Sequence, residues 1–278
     1  MKVRRRKRPK LGQHFLVHSG LRQRIVSLLA CQPSDCWLEI GAGHGEMTAL
    51  LAAGAACVLA VETDAQLIAT LRERFRNAPH VHPIHANILD LRLAELAARY
   101  ACLQPGQNAS GLRVYGNLPY YITSPILRHL FAQLDAIRDI FVVVQREVAA
   151  RLVAKAGSRD FGYLSAVTQF YTMPALLLRL PPRAFHPPPR VHSALVRLEP
   201  PGYAPKLSPA QADAFLHFLG NCFRQKRKTL FNNLRCAFPA EQMQAVLTQH
   251  GYTLHTRAEA LSVEELLEIF WHFVRAEL

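Results

Sequence analysis

The sequence predicts an α/β protein built on a parallel sheet with crossover helices, closed by an antiparallel last pair of strands and followed by a small helical domain. Three observations lead there. From Leu21 to about Val144, short apolar runs alternate with segments whose apolar residues recur at helical spacing, the rhythm of successive βαβ units. A glycine-rich turn follows the first strand candidate. Beyond a Pro- and Gly-rich stretch, Pro200–Pro209, helical patterns continue with no strand-like run among them,.

In chain order, the strand candidates are "CWLEI" (36–40), "CVLAVE" (57–62), "VHPIHAN" (81–87), "LRVYGN" (112–117) and "IFVVVQ" (140–145). Between them Leu50, Leu51 and Ala53, then Leu67, Ile68, Leu71 and Phe75, then Ile126, Leu127, Leu130 and Phe131 fall on helix faces,. Two further strands are expected in "PALLLRL" (174–180) and "SALVRL" (193–198); the proline-rich loop between them is too short for a crossover helix, so the pair should be antiparallel,. The predicted division is a basic N-terminal segment over 1–20, the sheet domain over 21–200 and a helical domain over 208–278, whose core would be made by Phe215, Phe218, Leu219, Leu230, Leu234, Val246, Leu266, Ile269, Phe270 and Phe273.

Composition narrows the class. The 278 residues carry a formal net charge of +13, which favours a polyanionic partner. No apolar run approaches the ~20 residues of a membrane span, and the charges of "MKVRRRKRPK" are not followed by the apolar segment of a signal peptide,. A cytoplasmic protein, a monomer without a membrane partner, is expected. The six cysteines are scattered with no C-x-x-C pair, so reduced thiols are expected. His80, His82 and His85 alternate across a strand and would not converge on a metal,.

The stretch "LEIGAGHGEM" places Gly41, Gly43 and Gly45 between a strand and a helix, where nucleotide loops belong in open sheets,. A dinucleotide fingerprint would have its third glycine where Glu46 stands. An anionic residue at that helix N-terminus disfavours pyrophosphate. Glu62, ending the next strand, can accept hydrogen bonds from ribose hydroxyls, and Asn87, after the third, can accept one from an adenine amino group,. S-adenosylmethionine, a nucleoside without phosphates, fits this set.

The fourth strand ends in "NLPY". Pro119 fixes its own φ and holds Leu118 extended, so that the Leu118 carbonyl and the Asn117 side chain can face one point,. Two neutral acceptors gripping the N–H groups of an exocyclic adenine amine free its lone pair for a methyl group. Tyr120 offers a flat face for a base taken out of its stack,.

The pieces "LGQHFL", "EIGAGHG", "VET", "YGNLPYYITSP", "QREVAARL", "AFHPPPRVHSALVRL" and "FRQKRKTLFNNL", in this order along nearly the whole chain, resemble the bacterial small-subunit ribosomal RNA adenine N6,N6-dimethyltransferase family. The resemblance implies a class I, Rossmann-like methyltransferase sheet, S-adenosylmethionine as donor, and two adjacent adenosines in the terminal stem-loop of 16S ribosomal RNA, within small ribosomal subunit particles, as targets. It also implies that Gln13, His14, Leu16, Gly41, Gly43, Glu62, Asn87 and Asn117 surround the cofactor, and that Phe185 stacks on the target base opposite Tyr120. Asn87, His14 and His192 depart from the residues expected there.

In "FRQKRK" the sequence places Arg224, Lys226, Arg227 and Lys228 on a helix with Arg235, with Arg224, Lys228 and Arg235 sharing one face for RNA phosphates,. Two rivals share the chemistry or the partner: a macrolide-resistance-type methyltransferase acting on large-subunit RNA, and a small-subunit assembly factor in which methylation is secondary.

Overall fold

The computed structural model describes residues 14–100 and 111–275. In chain order the elements are β1 (Phe15–Leu16), α1 (Ser19–Leu29), β2 (Cys36–Ile40), α2 (Glu46–Ala52), β3 (Cys57–Glu62), α3 (Ala65–Arg74), β4 (Val81–His85), α4 (Leu93–Arg99), β5 (Leu112–Asn117), α5 (Thr123–Phe131) and β6 (Ile137–Gln145). They continue with α6 (Arg146–Leu152), α7 (Tyr163–Tyr171), β7 (Met173–Leu180), β8 (Phe185–His186), β9 (Ser193–Glu199), α8 (Pro209–Cys222), α9 (Leu230–Leu234), α10 (Ala240–Gln249) and α11 (Val263–Arg275).

Seven strands form one sheet in the order β4-β3-β2-β5-β6-β9-β7. Pairing is parallel from β4 through β6. Every residue of β2 is buried, as befits a central strand covered on both faces. The order turns around β2: the chain runs outward through β3 and β4, then returns to lay β5 on the other side. Ligands bind at such a switch point, beyond the carboxyl ends of the strands. The small sheet of β1 and β8, with Phe15 opposite His186 and Leu16 opposite Phe185, has no counterpart in the sequence reading, because two residues carry no periodicity.

At the opposite end of the sheet lies a buried cation. Arg113 on β5 has Trp37 of β2 as its neighbour on one side and Asp139 of β6 on the other. Its Nε and Nη2 donate to the Asp139 carboxylate, Nη1 to Asp35 at 2.6 Å and to the Ala30 carbonyl, and Nη2 also to the Leu29 carbonyl. The guanidinium also stands 4.4 Å from the Trp37 ring centroid. This explains why β6 begins at Ile137, three residues before the apolar run suggests: Asp139 joins the strand as the partner of Arg113.

The chain packs as two compact units: residues up to Arg146 with Leu177–Val196, and Glu147–Leu176 with the residues from Arg197 onward. The second unit is helical around an aromatic core of Phe170, Phe215, Phe218, Phe270 and Phe273. Ser208 and Gln211 cap α8 reciprocally, with Pro209 in its first turn,. Leu266, Ile269, Phe270 and Phe273 form the buried face of α11,.

One expectation is corrected here. Arg224, Lys226, Arg227 and Lys228 do not lie on a helix: α8 stops at Cys222, the basic run forms turns, and α9 starts at Leu230. The buried Asn233 side chain donates to the carbonyls of Cys222 (2.7 Å) and Gln225 (3.2 Å) and accepts from the Gln225 N–H. Thr229 caps α9 by accepting from Asn232. These local bonds replace the helical ladder. The helix-face argument for Arg224, Lys228 and Arg235 therefore fails, although all five cations, Lys226 and Arg227 included, are exposed. A second correction concerns the thiols. Cys31, Cys222 and Cys236 are free, but Cys36 is disulfide-bonded; spacing along the chain carries no information on which cysteines meet in space.

Replacing Arg113 by leucine leaves Asp139 buried without its cation and Asp35 with Arg138 alone. Such a loss costs about 3–5 kcal/mol, so urea unfolding of Arg113→Leu should show a far lower midpoint. An unchanged midpoint would remove Arg113 as the anchor of the sheet.

Candidate functional site

A cavity of about 760 Å³ opens at the carboxyl ends of β2, β3, β4 and β5. Of the residues predicted for the site, His14, Gly41, Glu62, Asn87, Asn117, Leu118 and Tyr120 line it. Gln13 lies outside the described residues.

Gly41, at φ +73°, has open space where a Cβ would stand. It therefore leaves the cavity clear beside the end of β2, in a backbone conformation that other residues rarely adopt. Glu62 is 4% exposed. Its Oε1 accepts from the N–H groups of Thr63 (2.8 Å) and Asp64 (3.0 Å) and from the Thr63 hydroxyl, while Oε2 accepts from the Gly43 N–H at 3.0 Å. The carboxylate thus ties the glycine turn to the end of β3. Oε2, with a single donor, is the atom left for a ribose hydroxyl. Gly43 itself does not line the cavity; its contribution is this N–H.

Asn87 caps the short turn after β4 by accepting from the Leu89 N–H at 3.1 Å. That occupies one lone pair of its oxygen and leaves the other, with the amide nitrogen, for a ligand.

Asn117 Nδ2 donates to the His14 carbonyl at 2.7 Å. A carbonyl can only accept, so the atom facing it must be the nitrogen, and the Asn117 oxygen is the free end. His14 in turn places Nδ1 2.6 Å from the Pro187 carbonyl, so that nitrogen carries the proton. Its ring is 5.3 Å from that of Tyr120. Leu118 donates its N–H to Val143, and its side chain is buried in the space that the absent Gly116 side chain leaves. The Tyr120 hydroxyl meets Ser193 Oγ at 2.9 Å; burial raises its pKa above the usual tyrosine range, and the phenol stays neutral,.

Leu16 and Phe185 are not brought into the cavity. They are 7% and 3% exposed and pack in the core with Ile25, Leu180 and Ala184, paired across β1 and β8. As folded, the Phe185 ring is unavailable to a base: its neighbour in the small sheet, not its place in a loop motif, decides where it points.

The sequence reading passed over several residues. Phe15 lines the cavity and crosses the Gly43 position closely enough that a Cβ there would lie 3.0 Å from its ring. Tyr121 lines it too and is 65% exposed. Glu39, next in β2 to the lining residue Ile40, is fully buried and accepts from the Thr48 hydroxyl at 2.5 Å, so joining the strand to the first turn of α2. A carboxyl within the apolar run "CWLEI" was its only sequence signal. His80, His82 and His85 have separate partners: the Ala52 carbonyl, the Tyr100 ring and the Thr63 carbonyl.

The residues fit S-adenosylmethionine. The cavity volume suits a nucleoside ligand, a buried carboxylate and an amide line it as acceptors for hydroxyl and amino groups,, and Glu62 and Asp64 supply negative charge for a cation. When bound, that cofactor supplies a methyl group on a cationic sulfur.

Burial drives the Glu39 pKa up to about 8, opposed by the Thr48 hydrogen bond and reinforced by Glu46 and Glu62. The folded state therefore keeps a proton that the unfolded chain loses near pH 4–5. Stability conferred by the native state should fall as pH rises from about 5 to about 8,. Glu39→Gln should flatten that slope in urea unfolding of the ligand-free protein, and a variant that keeps the wild-type slope would show that Glu39 does not cause it.

The chain matches the family model "Ribosomal RNA adenine dimethylase" over residues 4–274. It is 41% identical to the ribosomal RNA small subunit methyltransferase A of Acidobacterium capsulatum, covering 95% of this chain and 90% of the relative. To the protein of the same name from Koribacter versatilis it is 39% identical, covering 95% and 93%. Among solved structures, a dimethyladenosine transferase from Plasmodium falciparum superposes with a TM-score of 0.78 at 21% identity, over 95% of this chain and 99% of that one. The 23S rRNA methyltransferase ErmE does so at 0.71 and 24% identity, over 93% and 98%; at these identities the likeness speaks for the fold. With the class I sheet, the phosphate-free cofactor crevice and the Asn117–Tyr120 wall in place, the chain belongs to the ribosomal RNA adenine dimethylase family, whose members are S-adenosylmethionine-dependent methyltransferases.

Proposed function

We propose that this protein dimethylates the N6 amines of two adjacent adenosines in the 3′-terminal stem-loop of 16S ribosomal RNA, acting in the cytoplasm on small ribosomal subunit particles. The observation that carries the reading is the Asn117 side chain, fixed by the His14 carbonyl so that its oxygen is free in the same cavity as Gly41 and Glu62. The relatives named above act, by their names, on small-subunit ribosomal RNA.

In this reading the target amine donates one N–H to the Asn117 oxygen and one to the Leu118 carbonyl. Held by two neutral acceptors, the nitrogen loses conjugation with the ring and its lone pair points at the methyl donor. As the new C–N bond would form, the sulfur–methyl bond of the donor would break to leave a neutral thioether, and the positive charge passed to the nitrogen would be stabilised by the same acceptors until its proton leaves to water. After the first transfer only one N–H remains, so the second proceeds with a single acceptor. Tyr120 backs the base, and Phe185 supports the wall from behind through β1 and β8. Methyl transfer belongs to the unit that ends at Arg146 and resumes over Leu177–Val196. The protein acts as a monomer. The exposed Arg224, Lys226, Arg227, Lys228 and Arg235 take phosphates.

Asn117→Ala should lower single-turnover methyl transfer to small-subunit particles by about 100- to 1,000-fold, the usual effect of losing one group that acts in the transition state. Its affinity for the particles should stay near wild type; dimethylation within a few-fold of wild type would reduce the stretch to a structural turn. Glu62→Ala should raise the dissociation constant of S-adenosylmethionine by at least about tenfold, and calorimetry showing unchanged affinity would take Glu62 out of the cofactor site.

A further inference from the structure

Within the helical unit, α7 and α8 leave a groove of about 450 Å³ lined by Tyr163, Asp213, Leu216, His217, Gly220 and Asn221. Nothing in the methyl-transfer chemistry uses it. Its composition is unusual for the surface of a strongly basic chain: a tyrosine 47% exposed at one wall, a carboxylate, an imidazole, an amide, and a glycine whose missing side chain opens the floor. A Cβ at Gly220 would meet nothing within 4 Å, so the opening is not filled by a neighbour. The groove leads to the end of α8, and the exposed cations Arg224, Lys226, Arg227 and Lys228 follow within a few residues.

We propose that this groove binds a single unpaired nucleobase of the ribosomal RNA whose backbone the neighbouring cations hold. The inference rests on the reading that Arg224–Lys228 contact RNA phosphates. The groove and the cations suit different parts of one nucleotide. Asp213 repels phosphate, so the backbone stays on the basic turns. A base brings a π-face for Tyr163 and an N–H edge for the Asp213 carboxylate, and the Asn221 amide can meet either donors or acceptors. Asp213 is close enough to the half-buried Tyr171 to help hold its phenol above the usual tyrosine range, after burial as the main cause. The wall behind the carboxylate is thus a neutral hydroxyl, and among the described residues Asp213 forms no ion pair. An amino-bearing base, guanine, adenine or cytosine, therefore suits the groove better than uracil, which offers a carbonyl on either side of its one N–H.

The test is equilibrium binding of the full-length protein to unmethylated small-subunit ribosomal RNA across a salt series. Tyr163→Ala should weaken binding by about 5- to 100-fold, the range for loss of one base stack, with no change in the salt slope, whereas Tyr163→Phe should bind like wild type. Gly220→Leu adds bulk to the groove from an exposed helix position where a Cβ meets nothing within 4 Å, and should reproduce the loss. Combined alanine substitution of Arg224, Lys226, Arg227 and Lys228 should instead lower the slope of log affinity against log salt by roughly 2–4. Wild-type affinity in both Tyr163→Ala and Gly220→Leu overturns the base site. If the charge substitutions still lower the slope, the phosphate reading survives that failure; an unchanged slope removes the phosphate reading by itself.

Discussion

The sheet is registered by one buried cation. Arg113 gives its guanidinium donors to Asp35, Asp139 and two carbonyls at the end of α1, and lies against Trp37. Because the pairs Trp37–Arg113 and Arg113–Asp139 are also strand neighbours, these bonds fix the stagger of β2, β5 and β6. A slip by one residue would turn Arg113 to the other face of the sheet, stranding the buried Asp139 and leaving Asp35 with Arg138 alone,. Fixing the register at one end fixes what emerges at the other: Ile40 opposite Gly116 and Val61, Glu62 opposite His85, Asn117 opposite Val143. Gly41, Glu62 and Asn117 meet in one crevice for this reason.

Within the crevice, electrostatics run against the rest of the chain. The protein carries a net charge of +13, yet Glu62 and Asp64 line the cavity and the buried Glu39 precedes the lining residue Ile40. Burial keeps Glu39 protonated until about pH 8, so at neutral pH it acts as a hydrogen-bonding prop for α2 and adds little charge. The negative charge comes from the two carboxylates at the end of β3. A cationic small molecule is favoured there, whereas a polyanion is favoured at the exposed cations of the helical unit. One polypeptide thereby offers a cation and a polyanion different surfaces by sign of charge.

The chain segment before α1 completes the site. His14 supplies a carbonyl that orients Asn117 and a ring beside Tyr120, and it is held by Pro187 in the loop after β8. The Asn117 oxygen is free only while that contact exists. Residues far apart in sequence therefore determine the chemistry assigned to "NLPY".

The sequence by itself determined the alternation of strands and helices, the central strands and the placing of Gly41, Glu62, Asn87 and Asn117 after successive strands. Those features are carried by local periodicity and by residue types whose chemistry is fixed, and they need no knowledge of neighbours. The orientation of the Asn117 amide, the burial of Phe185 behind β1 and the role of Glu39 were decided only by tertiary structure, because each depends on a partner: the His14 carbonyl, Leu16 and Thr48. The same holds for "RQKRK". Its spacing suits a helix, but Asn233 and Thr229 bind the backbone more favourably in turns, and a helical period in the sequence cannot reveal a side chain that competes for the ladder from eight residues away,.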